Sequence, residues 1–274
     1  MRSLDSGLRS NCWRACLFNR EQAWTGGVLV SLQGRASTLV SLGSDCSGQK
    51  DYSVVVQVLN DNERFKLDDS DDALFYSDPR FVQHLDAAFR LRLTQLYSER
   101  IPSCAVVLDL MSSWVSHLPE QQRYEQVIGH GLNAQELQAN PRLDRHWVQD
   151  LNRDQILPLD DASVDCTLIV AGWQYLQQPE AVAAELLRIT RPRGQVICAF
   201  SNRMFFTKAP QIWTDGGDAD HLRYVAEVMM AQGWPKPELV AEQTQQAGPL
   251  GWVGAKGDPF FAVIATKPLG SDSV

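Results

Sequence analysis

The chain of 274 residues and 30.7 kDa is 44% hydrophobic and 21% charged, enough apolar material for a full core, which excludes a disordered or fibrous protein. Its 25 basic and 33 acidic side chains leave a net charge of −8, without the broad basic surface that sequence-independent phosphate binding needs, so nucleic acid is not an expected partner. No run approaches the roughly 20 consecutive apolar residues that cross a bilayer, so a soluble protein without a membrane partner is expected.

Residues 1–50 stand apart. They hold six basic and three acidic side chains and eight serines, a net charge of +3, which leaves −11 in residues 51–274. An Arg- and Ser-rich leader without a continuous apolar stretch reads either as an organelle transit peptide or as a poorly ordered extension or start-site error. The expected location is therefore the cytoplasm, with an organelle as the alternative. The six cysteines (Cys12, Cys16, Cys46, Cys104, Cys166, Cys198) form no CxxC pair. They point to a reducing compartment and no metal site, with the last three as small hydrophobes inside apolar segments.

From residue 79, Val82, Leu85, Phe89, Leu93 and Leu96 recur at helical spacing, with Asp78-Pro79 as cap and first turn and Pro102 beyond the end. Short β-type runs follow at 104–110, 126–131, 146–150, 164–171 and 195–201, separated by helical or turn segments. Val182, Leu186 and Ile189 make one helix stripe, and Leu222, Val225, Ala226 and Met229 another; Pro192 and Gly194 turn the chain into the fifth run. The last two runs, 237–244 and 259–266, have no helix between them and predict an antiparallel hairpin. Five βα steps closed by a hairpin give an α/β, Rossmann-like, doubly wound and mainly parallel seven-stranded sheet with one antiparallel strand near the C-terminus.

Ligands in such sheets bind beyond the carboxyl ends of the strands. After the first run come Asp109, a small-residue turn at Ser112 and Ser113, and a short segment stopped by Pro119. A strand running into a helix N-terminus there would present free N–H groups to an anion. The loop has no glycine, so the GxGxxG dinucleotide pattern is absent, as is the GxxxxGK[ST] phosphate loop.

The blocks VVLDLMSSW (106–114), VIGHGLNAQEL (127–137) and the long stretch 148–201, with Asp150, Leu157-Pro158, the turn from Asp160 to Asp165, the step Trp173 to Leu176 and Arg191-Pro192-Arg193-Gly194, resemble class I S-adenosylmethionine-dependent methyltransferases over about residues 72–267. A closer resemblance is to a group of bacterial proteins of this class that share DLMSSWVSHLP (109–119) and FYSDPRFVQHLD (75–86). The chain departs from the family at Met111, Ser113 and Val115, where glycines are usual, and at Gly131, where an acid usually bonds the ribose.

The resemblance implies adenosylmethionine as cofactor and methyl transfer to an unidentified small molecule. It sets Asp109 at the cofactor's ammonium, Met111, Ser112 and Ser113 at its methionine part, and Gly131 and Asn133 at the ribose. Asp150 and Leu151 would border the adenine, and Ala171 and Trp173 the route to the sulfonium. The alternatives are a strand-end acid satisfied by backbone N–H groups for Asp109 and a turn cap for Asp150. His117, His130 and Tyr175 are the candidate catalytic side chains. Tyr76, Arg203 and Lys208 stand where an acidic acceptor group would be met, unless the two cations belong to a solvated loop. Trp173, Tyr175, Phe205, Phe206 and Trp213 suit either an apolar acceptor wall or plain core. Two other functions share these features: cofactor or nucleoside binding without transfer, and an interaction module on the same fold.

Overall fold

The computed structural model describes residues 38–39, 55–246, 248 and 254–269. Apart from the backbone of the two-residue strand Thr38–Leu39, which pairs with Val56–Gln57, the leader and its cysteines Cys12, Cys16 and Cys46 lie outside the described residues. Seven strands form one sheet: β1 (Val106–Leu110), β2 (Gln126–Gly131), β3 (Arg145–Val148), β4 (Val164–Val170), β5 (Thr190–Phe200), β6 (Glu238–Gln245) and β7 (Lys256–Thr266). Their order is β3-β2-β1-β4-β5-β7-β6, and β7 alone runs against its neighbours. The strand order reverses between β1 and β4, so a crevice opens above these two ends.

The helices are α1 (Asp72–Phe75), α2 (Ala87–Arg100), α3 (Ala134–Ala139), α4 (Pro179–Ile189), α5 (Gln211–Thr214) and α6 (Asp218–Ala231). Side chains alternate across the sheet. Val106, Leu108 and Leu110 of β1 join α4 and α6 in one core layer, while Val107 joins Phe89, Leu93 and Leu96 of α2 in the other. With both faces covered, β1 and β4 are buried along nearly their whole length and mostly apolar, the exceptions being Asp109, Asp165 and Thr167. Among the described residues no helix is long and apolar enough to cross a membrane.

The structure corrects the sequence at three points. The helix expected from residue 79 begins at Ala87, because the Asp86 carboxylate, not Asp78, accepts the Phe89 N–H at 2.8 Å. Asp86 also exchanges hydrogen bonds with Asp258 on β7, which fixes the helix start to the sheet and leaves Val82 exposed. Second, residues 111–125 contain no helix, so the first βα step has none; α2, which packs on β7 through Phe89 against Phe260, closes the layer that holds Val107. Third, Cys104 is exposed, with φ of 67°, while Cys166 and Cys198 are buried as expected.

Residues 55–71 are bound into the body. Glu180 of α4, 1% exposed, accepts from the Val58 and Leu59 amides at 2.9 Å and from the Arg64 guanidinium at 2.8 and 2.9 Å.

Candidate functional site

Above the carboxyl ends of β1, β2, β3 and β4 lies a cavity of about 660 Å³, a size suited to a small-molecule ligand. Residues 72–86 run across it as a strap. Asn133 Nδ2 donates to the Tyr76 and Ser77 carbonyls at 2.9 and 3.1 Å, and Glu136 Oε1 accepts from the Arg80 N–H at 2.6 Å.

The first loop forms one wall. Because no helix follows β1, the helix N-terminus expected to hold an anion does not exist. Met111 lies in the left-handed region at φ of 56°, and the amides of Met111 and Ser112 are consumed by His130, through its Nδ1 at 3.2 Å and its carbonyl at 2.6 Å. From Ser113 to His117, however, the backbone N–H groups have no hydrogen-bond partner among the described residues, and this stretch lines the cavity. The free N–H groups that the sequence placed at a helix end thus lie on a loop without a helix.

The glycines missing from this loop sit on its neighbours. A Cβ on Gly131, at the end of β2, would stand 2.4 Å from the Ser112 carbonyl oxygen; one on Gly172, just past β4, would stand 2.9 Å from Met111 Cβ. Each contact is closer than real Cβ atoms make, so the loop seats between two positions that only glycine fits. An acid in place of Gly131 would displace the loop. Gly131 therefore borders the cavity as clearance.

Asp109 lies one residue from the end of β1 and is 3% exposed. The Ser112 hydroxyl donates to its Oδ2 at 2.7 Å, Ser116 bonds it as well, and the Ser116 oxygen accepts from Asn140 Nδ2 at 2.9 Å. Among the described residues no cation pairs with it. Burial raises its pKa to about 6 against the pull of the two serine hydroxyls. A buried carboxylate opening on a cavity without a positive partner fits a ligand's ammonium group.

At the second strand, Asn133 lines the cavity but its side chain is committed: besides the strap bonds, its Oδ1 caps α3 by accepting from Gln135 and Glu136 N–H. The acid on the cavity wall beyond β2 is Glu136, 8% exposed, whose Oε2 accepts from the Ser113 hydroxyl at 2.5 Å. Sequence reasoning missed it because Asn-x-x-Glu reads as a helix cap, in which the Glu would turn back to the cap N–H. Here it reaches the strap and the first loop instead.

Asp150 lines the cavity, and as the turn-cap reading expected its Oδ1 accepts the Asn152 N–H at 2.9 Å. Leu151, 3% exposed, shows one side to the cavity and the rest to the core. Ala171, at φ of 49°, lies on the wall beside Gly172. Trp173 does not: it is 1% exposed and belongs to the core layer of α4 and α6, and Trp213 is equally buried against His221. Of the aromatic wall, Tyr175, Phe205 and Phe206 reach the cavity.

The candidate catalytic groups are poorly suited to take a proton near neutrality. Both His130 nitrogens are engaged, Nδ1 by the Met111 amide and Nε2 by the Gln149 carbonyl at 2.9 Å, so it has no free lone pair; burial lowers its pKa to about 4. His117 is likewise held down to about 4, by burial first and then by Arg90. The Tyr175 hydroxyl accepts from the Phe205 N–H at 2.9 Å, and burial raises its pKa. Arg203 lines the cavity but pairs with Asp258 at 2.9 Å. Lys208 corrects both readings made for it. It is 1% exposed and bonded to Ser70, Asp68 and Asp72, a buried tie rather than a solvated cation or an acceptor contact.

Residues 112–198, about a third of the chain, match the family model described as a methyltransferase domain. No protein of curated function matches the chain. Among solved structures it is similar to a SAM-dependent methyltransferase from Thermotoga maritima (16% identity, 65% of this chain and 88% of that one, TM-score 0.47). It is similar also to an S-adenosylmethionine-dependent methyltransferase from Mesorhizobium loti (13%, 66% and 99%, 0.47) and to the cyclase SpnF (16%, 65% and 81%, 0.45).

Proposed function

We propose that this chain, which carries a class I S-adenosylmethionine-dependent methyltransferase domain, moves the cofactor's methyl group to a small molecule held beneath the strap of residues 72–86. The observation that carries this reading is Asp109, a buried carboxylate without a cation, beside the unpartnered N–H groups of residues 113–117. Together they complement a group bearing an ammonium and a carboxylate on one carbon. When bound, adenosylmethionine supplies an electrophilic methyl on a sulfonium sulfur.

The chain's own residues bind, orient and exclude water. Ionised Asp109 holds the ammonium, and the loop amides hold the carboxylate. Glu136 and Asn133 border the ribose hydroxyls; Asp150 and Leu151 border the adenine. Ala171, whose small side chain lies on the cavity wall, leaves room along the methyl's path. Burial holds the pKa of His117 and His130 at about 4 and also lowers that of His84 on the cavity wall, so no histidine is assigned as a base and catalysis rests on placement.

Calorimetric titration of the full chain with adenosylhomocysteine tests this. The parent is expected to bind, and Asp109→Asn to bind at least about tenfold more weakly, the loss of one charge-assisted bond. Equal affinities would remove Asp109 from the site. Labelled-methyl assays on metabolite extracts then separate transfer from binding alone, since binding with no labelled product leaves only a holder of the nucleoside.

A further inference from the structure

One charged group in the cavity has no carboxylate partner among the described residues and no place in the cofactor reading. The Arg80 guanidinium lies over three aromatic faces, 4.2 Å from the Phe75 ring centre, 5.4 Å from Phe205 and 5.5 Å from Tyr76. Its Nη2 donates to the Phe75 carbonyl at 2.8 Å, and no carboxylate pairs with it among the described residues. Both oxygens of nearby Glu136 are taken, one by the Arg80 backbone N–H and one by Ser113. A guanidinium fixed on ring faces has given up little of its capacity to donate, and its ordering cost is met before a ligand arrives.

A second group points the same way. Gln174 is 1% exposed and lines the cavity; its Nε2 donates to the Arg203 carbonyl at 3.0 Å, while its Oε1 is buried with no hydrogen-bond partner. A buried acceptor left bare is costly, and a donor on a ligand removes that cost. On the same cavity wall Phe205, which lies under the Arg80 guanidinium, and Tyr175 have ring centres 6.1 Å apart and planes 31° from parallel.

We propose that the acceptor is a small planar acid: its anionic oxygen group pairs with Arg80, its flat body lies against Phe205 and Tyr175, and a hydroxyl or amino hydrogen on it reaches Gln174 Oε1. This rests on the reading of the cavity as a methyl-transfer site and names the substrate class for it. Asp109 needs a positive group and Arg80 a negative one, so the two halves of the cavity sort cofactor from acceptor by charge.

The test uses the full chain and two ligands in parallel: adenosylhomocysteine, followed by calorimetry, and 4-hydroxybenzoate, followed by saturation-transfer NMR in its presence and absence. 4-Hydroxybenzamide, of the same shape without the charge, is the control. The expected result is a 4-hydroxybenzoate signal that the benzamide does not give. It should weaken at least about tenfold in Arg80→Gln, survive in part in Arg80→Lys, and weaken in Gln174→Leu, with adenosylhomocysteine affinity unchanged in all three. An Arg80→Gln chain that loses adenosylhomocysteine overturns the proposal by giving Arg80 to the cofactor. A parent that does not distinguish acid from amide overturns it too. A parent that binds 4-hydroxybenzoate through Arg80 but never adenosylhomocysteine sinks the methyl-transfer reading instead and leaves an acid-binding pocket. Arg80→Lys guards against misreading a folding defect, since it keeps the charge and most of the stem.

Discussion

Glu180 and Asp109 are both acids that the fold has taken out of water, 1% and 3% exposed, yet they are treated in opposite ways. Around Glu180 the chain supplies a complete partner set, the Arg64 fork and two backbone amides, and the result fastens residues 55–65 to α4. Around Asp109 it supplies two serine hydroxyls and, among the described residues, no cation, and it leaves an opening. A buried ion pair matched from within serves the architecture; a buried charge left half-matched is one the fold bears for something that comes from outside.

The contrast can be broken from either side. The largest effect is expected from Glu180→Ala, which leaves the Arg64 guanidinium with neutral acceptors only, among them the Gln177 and Leu59 carbonyls, and two amides without an acceptor: unfolding in denaturant should show a loss of about 3–5 kcal/mol. A loss under about 1 kcal/mol would mean that the region is fastened elsewhere. Asp109→Asn should move the other way. Its folded pKa of about 6 stands above the ordinary 3.8, so the stability tied to this acid is complete below pH 4 and falls as pH rises from there through 6. Above that, the variant should exceed the ligand-free parent by on the order of 1–3 kcal/mol, with the difference vanishing near pH 4. Over the same window adenosylhomocysteine should bind the parent more tightly as pH rises, because only the ionised carboxylate attracts its ammonium. The smallest effect belongs to the exposed pair of Arg92 and Glu242, 2.6 Å apart on the surface, where Glu242→Gln should shift stability by less than about 1 kcal/mol. Together the three variants would show whether partner supply, rather than the mere presence of a charge, sets the energetic role.

Much of the architecture was legible because strands covered on both faces are apolar at most positions. That made 106–110, 126–131 and 164–170 readable, and the stripes of α4 and α6 announced their inner faces. The start of α2 was not legible, since Asp78-Pro79 and Asp86 are both sound caps and only the tie to Asp258 on β7 decides between them. Nor was the missing helix after β1: Met111 and His117 both take left-handed backbone angles there, which nothing in their residue types announces. Asp109 and the loop residues were expected near a crevice from their place beyond a strand, and they line the cavity. Glu136 and Gln174 were missed because their meaning lies in which long-range partner they have, or lack. Trp173 was misplaced by one step of a tight turn, which carries its ring into the core while Gln174 and Tyr175 face the cavity.

The seating of the first loop between Gly131 and Gly172 reaches beyond this molecule. Clearance for a tight approach is a property of the pair of surfaces, and either partner can provide it. A scan that looks for small residues only on the approaching segment will discard chains in which evolution moved the vacancy across the gap. The converse is a design rule: bulk can be written into such a segment, provided that the strand ends flanking it are stripped to bare backbone.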